Sequence, residues 1–112
     1  MKVFALDENV IFSDKNPNAE PLHVDENGRV LRFALRPGQV VREHNAPNSP
    51  VNIVVLQGNG LFAGADGREQ NLGPSHMVLY DPGEDHTIRA LDEPLVFLVI
   101  LHEAPNPNRP GG

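Results

Sequence analysis

Cysteine is absent from this sequence of 112 residues. The fold therefore contains no disulfide, and both thiolate catalysis and zinc binding by cysteine are excluded. A chain without these cross-links suits a reducing compartment, so we expect a cytoplasmic protein.

Basic residues are few: nine Lys and Arg stand against fifteen Asp and Glu, which gives a net charge of −6. Lysine occurs only at Lys2 and Lys15, and the basic residues form no cluster. Proteins that bind nucleic acid or an anionic membrane surface use clustered positive charge. We therefore expect neither nucleic acid nor a membrane as a partner.

Long hydrophobic runs are missing as well. The longest, Leu95–Leu101, has seven residues, whereas a membrane-spanning helix needs about 20. The N-terminal stretch Met1–Glu8 has too short an apolar run for a signal peptide. No window shows a helical stripe, because Gly or Pro interrupts every candidate.

Turn-forming residues, in contrast, are abundant, with ten glycines and eleven prolines. They separate short runs of strand-forming residues, and this spacing is typical of an all-β sandwich or barrel. The predicted strands are Val30–Leu35, Gln39–His44, Val51–Gln57, Met77–Tyr80, His86–Ala90 and Leu95–His102.

The run Leu95–Leu101 is apolar at successive positions, so both of its faces must be covered. Either the N-terminal segment or a second subunit covers the outer face, and we expect a homodimer. The chain is predicted to be a single domain, with an N-terminal arm at about residues 1–28, a barrel at about 29–102 and a flexible tail at 103–112.

Two spaced motifs carry a family resemblance. The first has Gly38 and His44 with five residues between them and is followed, after the next strand, by Gly58. The second has Gly83 and His86 with two residues between them. This arrangement resembles the cupin superfamily, the small RmlC-like jelly-roll barrels (double-stranded β-helices), whose motifs are G-x5-H-x-H-x(3,4)-E-x6-G and G-x5-P-x-G-x2-H-x3-N. The resemblance covers roughly two thirds of the chain and implies an all-β cupin barrel.

The departures from these motifs bear on function. In the family, three histidines and a glutamate hold a divalent metal. Here Ala46 stands at the second histidine position and Val51 at the glutamate position. The resemblance thus leaves His44 and His86 as ligands, and a metal site usually needs three or more from the protein.

A third ligand can come from a neighbouring strand. In the family's fold, the strand corresponding to Leu95–His102 runs antiparallel beside the one that begins at Val51. If His102 faces inward, it lies next to Val51, in the space of the missing glutamate. We predict a metal site of His44, His86 and His102 for zinc, iron, nickel, copper or manganese. The alternative for His102 is a strand-end residue bonded to backbone or solvent.

The same alternation predicts a small, mostly apolar pocket, lined by Val51, Ile53 and Ile88. Arg42 would share the face of His44 and bind a carboxylate through its guanidinium. Alternatively, Arg42 lies at the rim and pairs with a surface acid.

The resemblance therefore implies a metal-dependent enzyme, dioxygenase- or isomerase-like, that acts on a small carbonyl or carboxylate compound. The alternative is a non-catalytic cupin that binds or senses a small molecule and whose metal site is degenerate. A third class is a structural module without a ligand. The sequence does not decide whether the protein is an enzyme.

Overall fold

The computed structural model describes residues 1–43 and 48–102. These residues form nine β-strands, and they contain no helix that could cross a membrane. The strands are β1 (Asn18–Asp25), β2 (Gly28–Leu35), β3 (Val40–Glu43), β4 (Val51–Gln57), β5 (Gly60–Ala63), β6 (Glu69–Leu72), β7 (Met77–Tyr80), β8 (His86–Ala90) and β9 (Leu95–His102).

The strands form two antiparallel sheets that pack face to face. One sheet has the order β1-β2-β9-β4-β7, and the other has the order β3-β8-β5-β6. Their inner faces enclose a core of aliphatic and aromatic side chains, with Phe97 at its centre. Phe97 stacks on Phe33 of its own sheet and meets the edge of Phe62 in the facing sheet. The predicted all-β jelly-roll architecture is confirmed.

The two ends of this sandwich differ. At one end, the side chain of Leu95 packs against Gly60 so closely that a Cβ added to Gly60 would lie 2.7 Å from the Cδ2 atom of Leu95. Side chains therefore fill the space between the sheets at this end. The opposite end gathers the starts of β2, β4 and β8 and the ends of β7 and β9, because Val51 pairs with both Leu101 and Tyr80. This second end holds the candidate site.

The segment predicted as an N-terminal arm contains an additional strand. β1 pairs with β2 along its whole length, with an irregularity between Pro21 and His23. Proline is tolerated there because β1 is an edge strand.

Residues before β1 are fastened to the outer face of the large sheet by Arg32 of β2, which is 4% exposed. Its guanidinium donates to the backbone carbonyls of Leu6, Glu8 and Asn9 at 2.9–3.2 Å, and it pairs with the Glu20 carboxylate.

This N-terminal segment covers only part of the outer face. On β7, the apolar side chains of Met77 and Leu79 stay 67% and 56% exposed.

Candidate functional site: a cavity between the sheets

A cavity of about 140 Å³ lies between the two sheets. Its walls are mostly apolar and come from β2, β3, β4, β8 and β9. Val51, Ile53 and Ile88, which the sequence predicts as pocket residues, are all among the lining side chains. Two polar side chains, those of Arg29 and His86, also reach the cavity.

Strict alternation along the strands explains why these side chains face inward. On β8, His86, Ile88 and Ala90 are buried, whereas the intervening Thr87 and Arg89 are exposed. The fold thus carries a polar imidazole inward together with the apolar side chains that follow it on the same face.

His86 begins β8 and is 6% exposed. Its ring stacks on that of Tyr80, with centroids 4.3 Å apart and planes 14° apart. Its Nδ1 lies 3.2 Å from the carbonyl oxygen of Glu84. A carbonyl oxygen only accepts hydrogen bonds, so Nδ1 carries the proton in this bond. In the neutral ring, Nε2 then holds the free lone pair.

Tyr80 is the buried partner of His86 in this stack. Among the described residues, its hydroxyl has no hydrogen-bond partner. Burial, together with the nearby Glu84 carboxylate, raises the pKa of Tyr80 to about 12. The phenol is therefore neutral at physiological pH.

Glu84 joins the two turns that flank this stack. Its carboxylate accepts hydrogen bonds from the backbone N–H groups of Ala65 and Asp81, each at 3.0 Å. These two bonds lower the pKa of Glu84 below its ordinary value. The ionised carboxylate thus holds the turn before β6 against the turn before β8.

Arg29 is the cation that the structure places at the cavity, and the sequence analysis missed it. It pairs with Leu101 of β9, which also lines the cavity. Arg29 precedes Leu31 by two residues and Phe33 by four, and both of these line the cavity. Because every second residue of a strand lies on the same face, this spacing could have predicted that Arg29 lies on the cavity face.

Arg42 does not occupy the predicted place. Val41 is buried, pairs with Ile88 and lines the cavity, so Arg42 faces the outside of the smaller sheet. There it contributes, with Arg89, to a separate open groove. The predicted inward orientation of Arg42 is therefore wrong. Val40 and Val41 are adjacent and similar, so the sequence alone does not tell which of them, and hence which face of β3, points inward.

The predicted orientation of His102 is also corrected. Leu101, not His102, pairs with Val51 and lines the cavity. The side chain of His102 is exposed, and its backbone N–H donates to the Ser49 hydroxyl at 2.9 Å. The neighbouring strand was identified correctly, but a difference of one residue in register places the side chain on the other face.

The described residues do not fit a three-histidine metal site. His44 lies outside them. Within residues 1–43 and 48–102, no group of three or more His, Cys, Asp or Glu side chains could hold a metal ion. His86 lines the cavity and His102 does not, so metal binding stays a prediction that depends on His86 and His44.

Comparison with known proteins places this geometry in a wider group. Residues 31–101 match the family described as Cupin domain (Cupin_2), and no curated protein matches the sequence.

Several solved structures share the fold. An uncharacterized conserved protein with a double-stranded beta-helix domain from Klebsiella pneumoniae is 21% identical, with a TM-score of 0.85, and the match covers 93% of this chain and 91% of that one. An RmlC-like cupin protein from Desulfovibrio desulfuricans is 27% identical, with a TM-score of 0.79 and coverage of 90% and 96%. The Cupin_2 domain of an XRE family transcriptional regulator from Enterobacter cloacae is 20% identical, with a TM-score of 0.74 and coverage of 81% and 100%.

Proposed function

Because this chain belongs to the family of cupin domains, we propose that it binds a small organic molecule in the cavity between its two sheets. The observation that carries the proposal is the cavity of about 140 Å³ itself, which has apolar walls and two polar groups. Ligand sites commonly combine an apolar lining with a few convergent polar side chains.

The size of the cavity limits the ligand. An apolar protein cavity of about 150 Å³ accommodates benzene, so the buried part of the ligand has about six carbon atoms. Burial of six methylene-sized groups contributes about 5 kcal/mol to the binding free energy. Because a Kd of about 1 μM corresponds to roughly 8 kcal/mol, a binding free energy of about 5 kcal/mol corresponds to a Kd of a few tenths of a millimolar. We expect weak binding of apolar probes and tighter binding of the physiological ligand.

Binding of benzene-sized probes to the full chain, followed by calorimetry and by NMR shifts of the Ile and Val methyl groups, tests the proposal. Val51→Phe fills the cavity and should remove binding. Leu79→Phe adds a ring on the outer face of the same sheet and should leave binding intact. Failure of the wild-type chain to bind any probe, or equal binding by folded Val51→Phe, would contradict the proposal.

A second candidate is a metal-dependent reaction on a small carbonyl or carboxylate compound. The bond from His86 Nδ1 to the Glu84 carbonyl favours it, because metal-ligating histidines commonly use one ring nitrogen for such a bond and the other for the metal. A bound divalent ion would act there as a Lewis acid.

Metal analysis of protein purified without an affinity tag tests this second candidate. If zinc, iron, nickel, copper or manganese copurifies, His86→Ala should lose it. His102→Ala should retain it, because the side chain of His102 is exposed on the outer face. Metal retained by His86→Ala would place the site elsewhere, and metal lost from His102→Ala would restore the three-histidine prediction.

We also propose a sensor or carrier role, in the cytoplasm, in place of turnover. The similarity to the cupin domain of a transcriptional regulator supports this role, and the absence of cysteine suits the compartment.

A homodimer is proposed as well, supported by the exposed apolar side chains on β7.

A further inference from the structure

We propose that the cavity binds a small carboxylic acid, and that Arg29 binds its carboxylate group. This inference rests on the proposed function, namely that a small molecule occupies the cavity. It adds the chemical class of that molecule and the residue that selects it.

The position of Arg29 is the first step. It pairs with Leu101, and it precedes Leu31 by two residues on β2; both leucines line the cavity, as does Arg29 itself. Its side chain is nonetheless exposed. The guanidinium therefore lies where the cavity meets solvent, and a ligand can enter past it without a charge being buried.

The unused bonding capacity of Arg29 is the second step. In the part of the chain that the structure describes, three other arginines are paired with carboxylates: Arg32 with Glu20, Arg36 with Asp14 and Arg89 with Glu69. The side chain of Arg29 takes part in no ion pair or hydrogen bond with described residues. A guanidinium has five N–H donors in a planar fork that matches a carboxylate bidentately.

The charge of the lining is the third step. No Asp or Glu is among the residues that line the cavity, whereas Arg29 adds a positive charge to a wall that is apolar apart from the imidazole of His86. An anionic group on the ligand would therefore meet a complementary charge with no competing carboxylate from the lining.

The form of the ligand follows from these steps. Its carboxylate lies at Arg29, and its hydrocarbon part occupies the apolar interior beside Val51, Ile53 and Ile88. With a cavity of about 140 Å³, acids of about four to seven carbons fit, by analogy with benzene in a similar volume. The imidazole of His86 is the second polar group that such an acid would meet.

Calorimetry with matched probes tests the inference: straight and branched acids of four to seven carbons, each against its neutral amide. The wild-type chain should bind the acids about tenfold more tightly than the amides, since a charge-assisted bond to an exposed arginine is worth about 1.5 kcal/mol. Arg29→Gln should weaken acid binding about tenfold and leave amide binding unchanged. Arg42→Gln is the matched control, because it removes the same charge from the outer face of the other sheet.

Arg29→Lys extends the test, because it keeps the charge and loses the bidentate fork; it should give acid affinity between those of the wild type and Arg29→Gln. Equal affinity for acids and amides, or a loss in Arg42→Gln as large as that in Arg29→Gln, would overturn the role of Arg29 and leave the proposed function standing. No binding of either probe class would overturn both.

Discussion

At the scale of single residues, Tyr80 offers a direct measurement. It is the one tyrosine of the sequence, and tryptophan is absent, so the tyrosinate absorbance reports on this side chain alone. Because burial raises the pKa of Tyr80 to about 12, we expect the folded protein to ionise near that pH and the urea-unfolded chain near 10. A folded-state midpoint near 10 would contradict a buried phenol.

The same shift predicts how stability depends on pH. The folded-state pKa lies above the unfolded value, so the ionisation of Tyr80 leaves the free energy of unfolding unchanged below about pH 10 and lowers it as the pH rises from 10 to 12. The loss is about 3 kcal/mol over these two pH units, at about 1.4 kcal/mol per unit. Urea unfolding at several pH values measures it, and Tyr80→Phe should abolish this dependence.

Tyr80→Phe should also stabilise the protein at neutral pH. The hydroxyl is buried without a partner among the described residues, and an unsatisfied polar group costs about 1–3 kcal/mol. We expect a gain of about 1 kcal/mol in the free energy of unfolding. A loss of stability instead would show that the hydroxyl has a bonding partner in the protein.

At the scale of elements, Arg32 is expected to hold the segment before β1 in place. Arg32→Gln leaves three backbone carbonyls and the Glu20 carboxylate without their donor, which should cost about 3 kcal/mol. Arg36→Gln is the control, because its ion pair with Asp14 is exposed and should be worth less than about 1 kcal/mol.

Limited proteolysis complements urea unfolding for this pair of variants. Arg32→Gln should release the segment and allow cleavage within residues 1–17, whereas Arg36→Gln should resist as the wild type does. If both variants are equally stable and equally resistant, Arg32 does not fasten the segment.

The strands differ in how well the sequence predicts them. β4, β7, β8 and β9 lie where turn residues and β-branched runs predict them, with the same bounds. β6, with the sequence Glu-Gln-Asn-Leu, is short and polar, and its position depends on pairing with β5 rather than on propensity.

The orientation of side chains was harder to predict than the strands. β8 alternates, so His86 and Ile88 were placed in the cavity from the sequence. β9 is apolar on both faces, and its pattern does not distinguish Leu101 from His102. The register of β9 against β4, in which Val51 pairs with Leu101, decides that Leu101 faces the cavity. This long-range pairing cannot be predicted from the sequence of β9 alone.

At the scale of the whole molecule, the exposed face of β9, β4 and β7 suggests how two copies associate. Val54 pairs with both Leu98 and Met77, so these three apolar side chains form one row across the strands. In the neighbouring row, Asn52 lies between two apolar side chains, Ile100 and Leu79. This patch differs from the region around Arg32, which the N-terminal segment covers. Burial of such a patch against its own copy would complete the packing of β9.

Leu79→Lys tests this dimer. In a twofold interface each substitution occurs twice, and one buried lysine per chain should weaken association by at least about 2 kcal/mol, or about thirtyfold. Each chain has a net charge of −6, so an added lysine reduces the overall repulsion between copies. Dissociation would therefore result from the lost apolar contact.

Thr87→Lys, on the exposed face of the other sheet, adds the same charge and should keep the dimer in analytical ultracentrifugation. A monomeric wild type, or equal behaviour of the two variants, would exclude this interface.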